Sequence, residues 1–143
     1  MAATKRQMNW TGVAFTPTSG SASTATGVAE CKVANGGNLL KFSGDGDRGP
    51  SLIVNDYSEP SIDVTSADQA WLMGLAPGTT GSLTATHNDA KLATGGGIVY
   101  VLSPCIVESP DSSGQHRQIG SGTVSFVGIF SDGQTNPLTF TRV

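Results

Sequence analysis

Apolar side chains recur at every second position in short runs along this chain, and Gly, Pro, Asn and Asp punctuate the runs. That is the signature of half-buried β-strands joined by turns. Met8 to Phe15 reads as a first strand. Thr26 to Val33 alternates, with Ala29, Cys31 and Val33 inward and Val28, Glu30 and Lys32 outward. Asn38 to Ser43 forms a short strand after an Asn35-Gly36-Gly37 turn. Ser51 to Tyr57 and Ser61 to Thr65 are two more, broken by Pro60. Thr80 to His87 follows. Gly97 to Ser109 is the longest apolar stretch, and Pro104 within it requires an edge or a bulge, because proline cannot donate to a strand ladder. Gln118 to Phe130 sets Val124, Phe126 and Gly128 against Ser125 and Val127. Leu138 to Val143 closes the chain, with Leu138 and Phe140 on one face.

One segment breaks this period. In SADQAWLMGLAPG, Ser66 and Gln69 have the spacing of a capping box, and Ala67, Trp71, Leu72 and Leu75 form a single helical stripe. Pro77 and Gly78 end it. A helix over about residues 66–75 is too short to stand alone, so its stripe must cover a sheet edge or the open end of a sandwich. The expected architecture is mostly β: one domain over residues 1–143, a β-sandwich or barrel with one short α-helix. Two segments read as loops, a mobile Ser/Thr/Gly/Ala-rich stretch over 17–27 and a Gly-rich one over 35–50.

Composition narrows the class. Of 143 residues only 13% are charged, about half the usual share, while Gly, Ser and Thr together fill 51 positions. Low charge gives little self-repulsion and suits a chain that packs against its own copies. The net charge is −3, and the eight basic residues, Lys5, Arg6, Lys32, Lys41, Arg48, Lys91, Arg117 and Arg142, never cluster. A nucleic-acid-binding face is therefore not expected. No apolar run reaches the ~18 residues of a membrane span, and no apolar core follows Lys5 and Arg6 as in a signal peptide, which points to the cytosol. Cys31 and Cys105 sit in strand-like apolar contexts and read as buried reduced thiols, with a disulfide as the alternative.

Candidate chemistry is thin. Gly44-Asp45-Gly46-Asp47-Arg48-Gly49 matches G-x-G-x-x-G, but Pro50 and a strand follow it where a dinucleotide site needs a helix. It reads as a tight loop or the tip of a long hairpin. Asp45 and Asp47 lack the ligand spacing of a calcium loop and read as turn residues. His87 (in His87-Asn88-Asp89) and His116 have no metal-ligand spacing and no nucleophile elbow to serve. Glu59, Asp63 and Glu108 have ordinary strand-end contexts. No catalytic, cofactor-binding or metal-binding residue is assigned, and no cofactor is expected.

The layout as a whole resembles the tail-tube proteins of long-tailed bacteriophages and the related ring-forming tube proteins of type VI secretion and contractile injection systems. The resemblance rests on the small β domain, the helix Ser66 to Leu75 between strand groups, the Gly-rich stretch Asn35 to Pro50 and a flexible early segment. The closing strands SPDSSGQHRQIGSGTVSFVGIFSDGQTNPLTF belong to the same pattern. It implies hexameric rings stacked into a hollow tube, with sheets lining a lumen through which DNA passes without specific binding. It also implies contact with other tail proteins and a place in a virion assembled in the host cytoplasm. No functional position carries over. One departure from the family layout is that no long alternating hairpin arm stands out. Competing readings are a capsid decoration or other virion protein, a carbohydrate-binding or adhesin-like module using Trp10, Tyr57 and Tyr100, and an enzyme.

Overall fold

The computed structural model describes residues 10–88 and 97–142. In chain order the elements are β1 (Trp10–Pro17), β2 (Ser23–Thr24), β3 (Val28–Phe42), β4 (Leu52–Ser66), α1 (Gln69–Gly74), β5 (Thr80–His87), β6 (Ile98–Glu108), β7 (Gly122–Gly128) and β8 (Leu138–Arg142). Met8, Asn9 and Val143, expected at the ends of the first and last strands, lie outside the described residues. All strand pairs are antiparallel, in the order β2-β1-β5-β6-β7-β4-β3. β8 lies beside the first half of β6, Ile98 to Leu102, and β7 beside its second half, Cys105 to Glu108.

This one sheet rolls up on itself. β1 and β7 are three strand spacings apart in the order, roughly 14 Å in a flat sheet, yet the rings of Phe15 and Phe126 lie 5.3 Å apart. Thr24 in one edge strand and Val28 in the other are joined by only three residues, a span of at most about 15 Å. Within that span Ala25 N donates to Val13 O and Ala67 N to Gly27 O. Of the two architectures expected, sandwich or barrel, the strands thus take the rolled, barrel-like form. The core is the inward set of every long strand: Val13 and Phe15, Ile62 and Val64, Leu83 and Ala85, Leu102, Cys105 and Val107, Val124 and Phe126.

Several expected boundaries move. Residues 17–27, expected as a mobile loop, contain β2, and Ala25 is buried. The expected inward Ala29 is exposed, because it is the extra residue of a bulge between Val28/Ser66 and Glu30/Thr65. That bulge resets the parity so that Cys31 opposite Val64 faces the core. Asn35-Gly36-Gly37 is not a turn. A Cβ on Gly36 or Gly37 would come within 3.2 or 3.0 Å of the Glu59 or Tyr57 carbonyl oxygen, so glycine lets the two strands close up there without bending. Likewise β4 is continuous through Pro60, which lies one residue beyond the last β7 partner, Ser61, where one side of β4 is open. Pro104 does sit at a bulge: between Gly81/Cys105 and Leu83/Leu102, β6 carries one residue more than β5.

The helix is shorter than expected, six residues instead of about ten, and its N-cap is Asp68 rather than Ser66. Asp68 Oδ1 accepts from Trp71 N at 3.1 Å, and Oδ2 accepts from Thr26 N and Oγ1, both at 3.1 Å. The bond from Trp71 N, then that from Thr26 N, holds this carboxyl below its ordinary pKa. Ser66 is instead a buried link: its hydroxyl donates to Thr26 O at 2.7 Å and accepts from Asp68 N at 3.0 Å. Gln69, the other half of the expected box, reaches Ser113 O. Trp71, Leu72 and Leu75 of the stripe are buried, whereas Ala67 is exposed. Trp71 packs on Phe126 at 6.2 Å and donates through Nε1 to Ser23 Oγ, so α1 plugs one end of the roll and pins β2.

The glycines of β7 serve the chain's own packing. A Cβ on Gly122 would strike the Asp111 carbonyl, and one on Gly128 would lie 2.6 Å from Pro137 Cγ and 2.9 Å from Pro60 Cγ. In the following turn Asp132 accepts from the Gln134 and Thr135 amides and the Thr135 hydroxyl. Led by that hydroxyl, these bonds hold its pKa down to about 2.

Two outcomes test this packing. Trp71, only 8% exposed, should cost about 3–5 kcal/mol when cut to alanine. Denaturant melts of Trp71→Ala that fall below ~1 kcal/mol would place the indole outside the core. The Asp132 turn is stabilised by a depressed carboxylate, so its contribution is complete above about pH 4 and fades as pH falls toward 2. An NMR titration of the Asp132 carboxyl should give a midpoint of about 2, and an ordinary carboxylate midpoint would show that the turn bonds do not form.

Candidate functional site

β4 has β7 as a neighbour only from Ser61 to Ser66. Beyond Ser61, β3 and β4 continue as a two-stranded ribbon, paired from Asn35/Pro60 to Phe42/Leu52 and closed by a tip at residues 43–51. The runs NLLKF and SLIV, read in sequence as separate short strands around a Gly-rich loop, are therefore the two sides of one projecting arm. The long hairpin arm that did not stand out in the sequence is present, with the Gly44 to Gly49 stretch in its tip. Residues 35–42 are strand, and only the tip is loop.

The register assigns the arm's side chains to two faces, since cross-strand partners share a face. Leu40 with Val54 and Phe42 with Leu52 lie on one face. An extra residue on β4 between Asn55 and Tyr57 brings Tyr57 opposite Asn38, on that same face. Leu39 with Asn55 and Lys41 with Ile53 lie on the other. All seven apolar side chains are exposed, and Leu39 and Leu40, on opposite faces, are equally so at 54%. Both faces of the arm are thus largely uncovered by the described residues. An isolated two-stranded ribbon is marginal in water, and an exposed apolar patch of this kind marks an interaction surface. A groove of about 440 Å³ at the arm's base, lined by Asn55, Tyr57, Phe130 and Gln134, leads from it toward the 129–136 loop. That loop is tied to the arm by Asn136 Nδ2 donating to Asn35 Oδ1 at 3.4 Å.

The G-x-G-x-x-G match lies in the arm's tip, the hairpin-tip reading. Asp47 makes the turn: its Oδ2 accepts from Gly44 N at 2.8 Å while its own N donates to Gly44 O. The Ser51 hydroxyl and then the Gly44 amide hold its carboxyl below the ordinary carboxylate range. Asp45 is an exposed neighbour in the same turn. Among the described residues no three His, Cys, Asp or Glu side chains gather as a metal site would need.

The other candidates are dispersed. His87, at the end of β5, lies 4.8 Å from the Trp10 ring, and Trp10 lies 6.0 Å from Tyr100. Trp10 and Tyr100 are partly buried against the core, while Tyr57 stands apart on the arm, so the three aromatics do not share one face. Asp89 lies outside the described residues, and His116 is in the exposed 109–121 loop. Glu59 is exposed on the arm. Asp63 is opposite Lys32 and Ser125 within the sheet, and Glu108 ends β6 opposite the same Ser125. Cys31 and Cys105 are both free and buried, and burial pushes their thiols up to about 12 and about 11. They behave as core residues. Among the described residues no helix is long and apolar enough to cross a membrane.

The residues missed in sequence were those of the arm. The available signal was the pair of apolar runs, LLKF and LIV, on either side of a Gly/Asp turn. The Asn-Gly-Gly triplet and Pro60 obscured it by reading as breaks.

No protein-family model matches the chain, and no curated protein matches it. Among solved structures it is similar to a chain in the tail of an empty gene transfer agent (GTA) particle, determined with helical refinement and C6 symmetry. The TM-score is 0.52 at 15% identity, over 90% of this chain and 93% of that one. At this identity the likeness concerns the fold.

For the tip, calcium addition is the direct check. With Asp47 committed to its own turn, calcium should leave the melting temperature unchanged, and a clear rise would turn the Asp45/Asp47 loop into a metal site.

Proposed function

We propose that this chain is a non-enzymatic structural subunit of a phage-like tail, a tail tube protein that assembles with its own copies into stacked hexameric rings around a hollow lumen. The observation that carries this reading is the projecting arm with uncovered apolar side chains on both faces. A lone chain in water gains nothing from such an arm, whereas a neighbouring copy would cover it. The fold likeness to a tail of C6 symmetry supports the choice of assembly.

Charge fits the same role. With 13% charged residues and a net charge of −3, copies repel one another little, while the sum over a ring would repel nucleic acid from a lumen wall. DNA would then pass without sticking. The outward positions of β4, β7 and β5 suit such a wall: Ser61, Asp63 and Thr65, Thr123 and Ser125, and Ser82, Thr84 and Thr86 are mostly short hydroxyl side chains. Other tail proteins would meet the ends of the tube, and the site of action would be the virion, assembled in the host cytoplasm.

The test is the size of the purified full chain. Sedimentation and negative-stain images at rising concentration should show six-fold rings or tubes. Molecules that stay single at high concentration, and that no tail particle recruits, would refute self-assembly.

A further inference from the structure

Between the arm's base and the 129–136 loop lies the groove of about 440 Å³, and its chemistry has no part in the assembly reading. Asn55, Tyr57 and Ser58 of β4 form one wall, and Phe130, Gly133 and Gln134 of the loop form the other. Tyr57, which stands apart from Trp10 and Tyr100, thus has a different aromatic companion in the half-buried Phe130. None of the six lining residues is charged. The volume falls within the ~300–1,000 Å³ of small-ligand sites.

Both walls are held in place before anything binds. On β4 the Asn55 amide and the Ser58 hydroxyl hydrogen-bond each other at 3.0 Å. On the loop, Asp132 Oδ1 accepts from Gln134 N at 2.8 Å and Thr135 N at 2.7 Å, and Gly133 N donates to Phe130 O at 3.1 Å. An added Cβ on Gly133 would meet nothing within 4 Å, so peptide backbone is bare there. What remains is one aromatic ring from each wall and two polar groups, the Tyr57 hydroxyl and the Gln134 side-chain amide. Neither group hydrogen-bonds another described residue. Fixed walls lower the entropic cost of binding.

We propose that this groove binds a neutral carbohydrate. A sugar ring offers an apolar C–H face bordered by hydroxyls. The face matches the rings of Tyr57 and Phe130. The hydroxyls match the Gln134 amide, which both donates and accepts, and the Tyr57 hydroxyl. Charge narrows the class further. Glu59 beside Ser58 and Asp132 beside Gly133 are carboxylates, and their field disfavours phosphate and acidic sugars. A quaternary ammonium ligand would gain from that field, but it would leave both polar groups unused.

Calorimetric titration of the full chain with maltohexaose, chitohexaose and mannohexaose reads this directly, with choline and sialic acid as charged comparisons. At least one neutral sugar should bind saturably. Gln134→Ala and Tyr57→Ala should each weaken that binding about tenfold, and Tyr57→Phe, which keeps the ring, should weaken it less. Both side chains are exposed, so melting temperatures should match wild type. If Tyr57→Ala lowers its melting temperature, Gln134→Ala carries the test alone. Sedimentation of the same samples follows assembly separately. Three results would each overturn the proposal while leaving self-assembly standing: no neutral sugar binds, choline or sialic acid binds in preference, or the folded Gln134→Ala variant binds like wild type. A wild-type chain that binds the sugar and never assembles would overturn the assembly reading alone.

Discussion

A single antiparallel sheet can dry one of its faces only by packing against something else or by rolling onto itself. Here it rolls until Phe15 of β1 meets Phe126 of β7, and most of the body's geometry follows from that contact. The inward residues of β1, β4, β5, β6 and β7 share one core. The short connection from β2 to β3 must bridge the two sheet edges. Its Thr26 is held by Ser66 and Asp68, and Asp68 also starts α1 where Trp71 can close the end of the roll. Hydrophobic burial supplies the drive, and a few well-placed hydrogen bonds decide which end is closed and how.

The same rolled body defines where the arm begins. β7 accompanies β4 only as far as Ser61, and Gly128 sits there under Pro60 and Pro137 with no room for a side chain. Past that point β3 and β4 lose their third strand and the core beneath them, yet their sequence remains apolar. The body is therefore complete in itself, while the arm carries surface that nothing else among the described residues covers. That split between a satisfied core and an unsatisfied ribbon is what the proposed self-assembly would require. The subunit would fold alone and still gain free energy on meeting its neighbours.

How much of this was legible beforehand depends on the kind of signal. The strands Thr80 to His87, Ile98 to Glu108 and the Val124/Phe126 alternation follow from period-two burial, and the helix from its Trp71/Leu72/Leu75 stripe. Pro104 announced its bulge because a proline within a ladder allows little else. Cys31 and Cys105 were readable as core thiols from their neighbours.

Local chemistry was ambiguous wherever its meaning depends on a distant partner. Asn35-Gly36-Gly37 is a turn by propensity. It is strand here because it pairs with Ser58 to Pro60 across the ribbon, where the carbonyls of Glu59 and Tyr57 leave a side chain at Gly36 or Gly37 little room. Ser66 was the better cap by spacing, but Thr26, forty residues earlier, takes its hydroxyl and leaves the helix to Asp68. The apolar runs of the arm look in sequence like any buried strands. Their exposure arises because β7 stops short of them, and the length of one strand against another is set by packing across the sheet, not by the residues of the strand that is left uncovered.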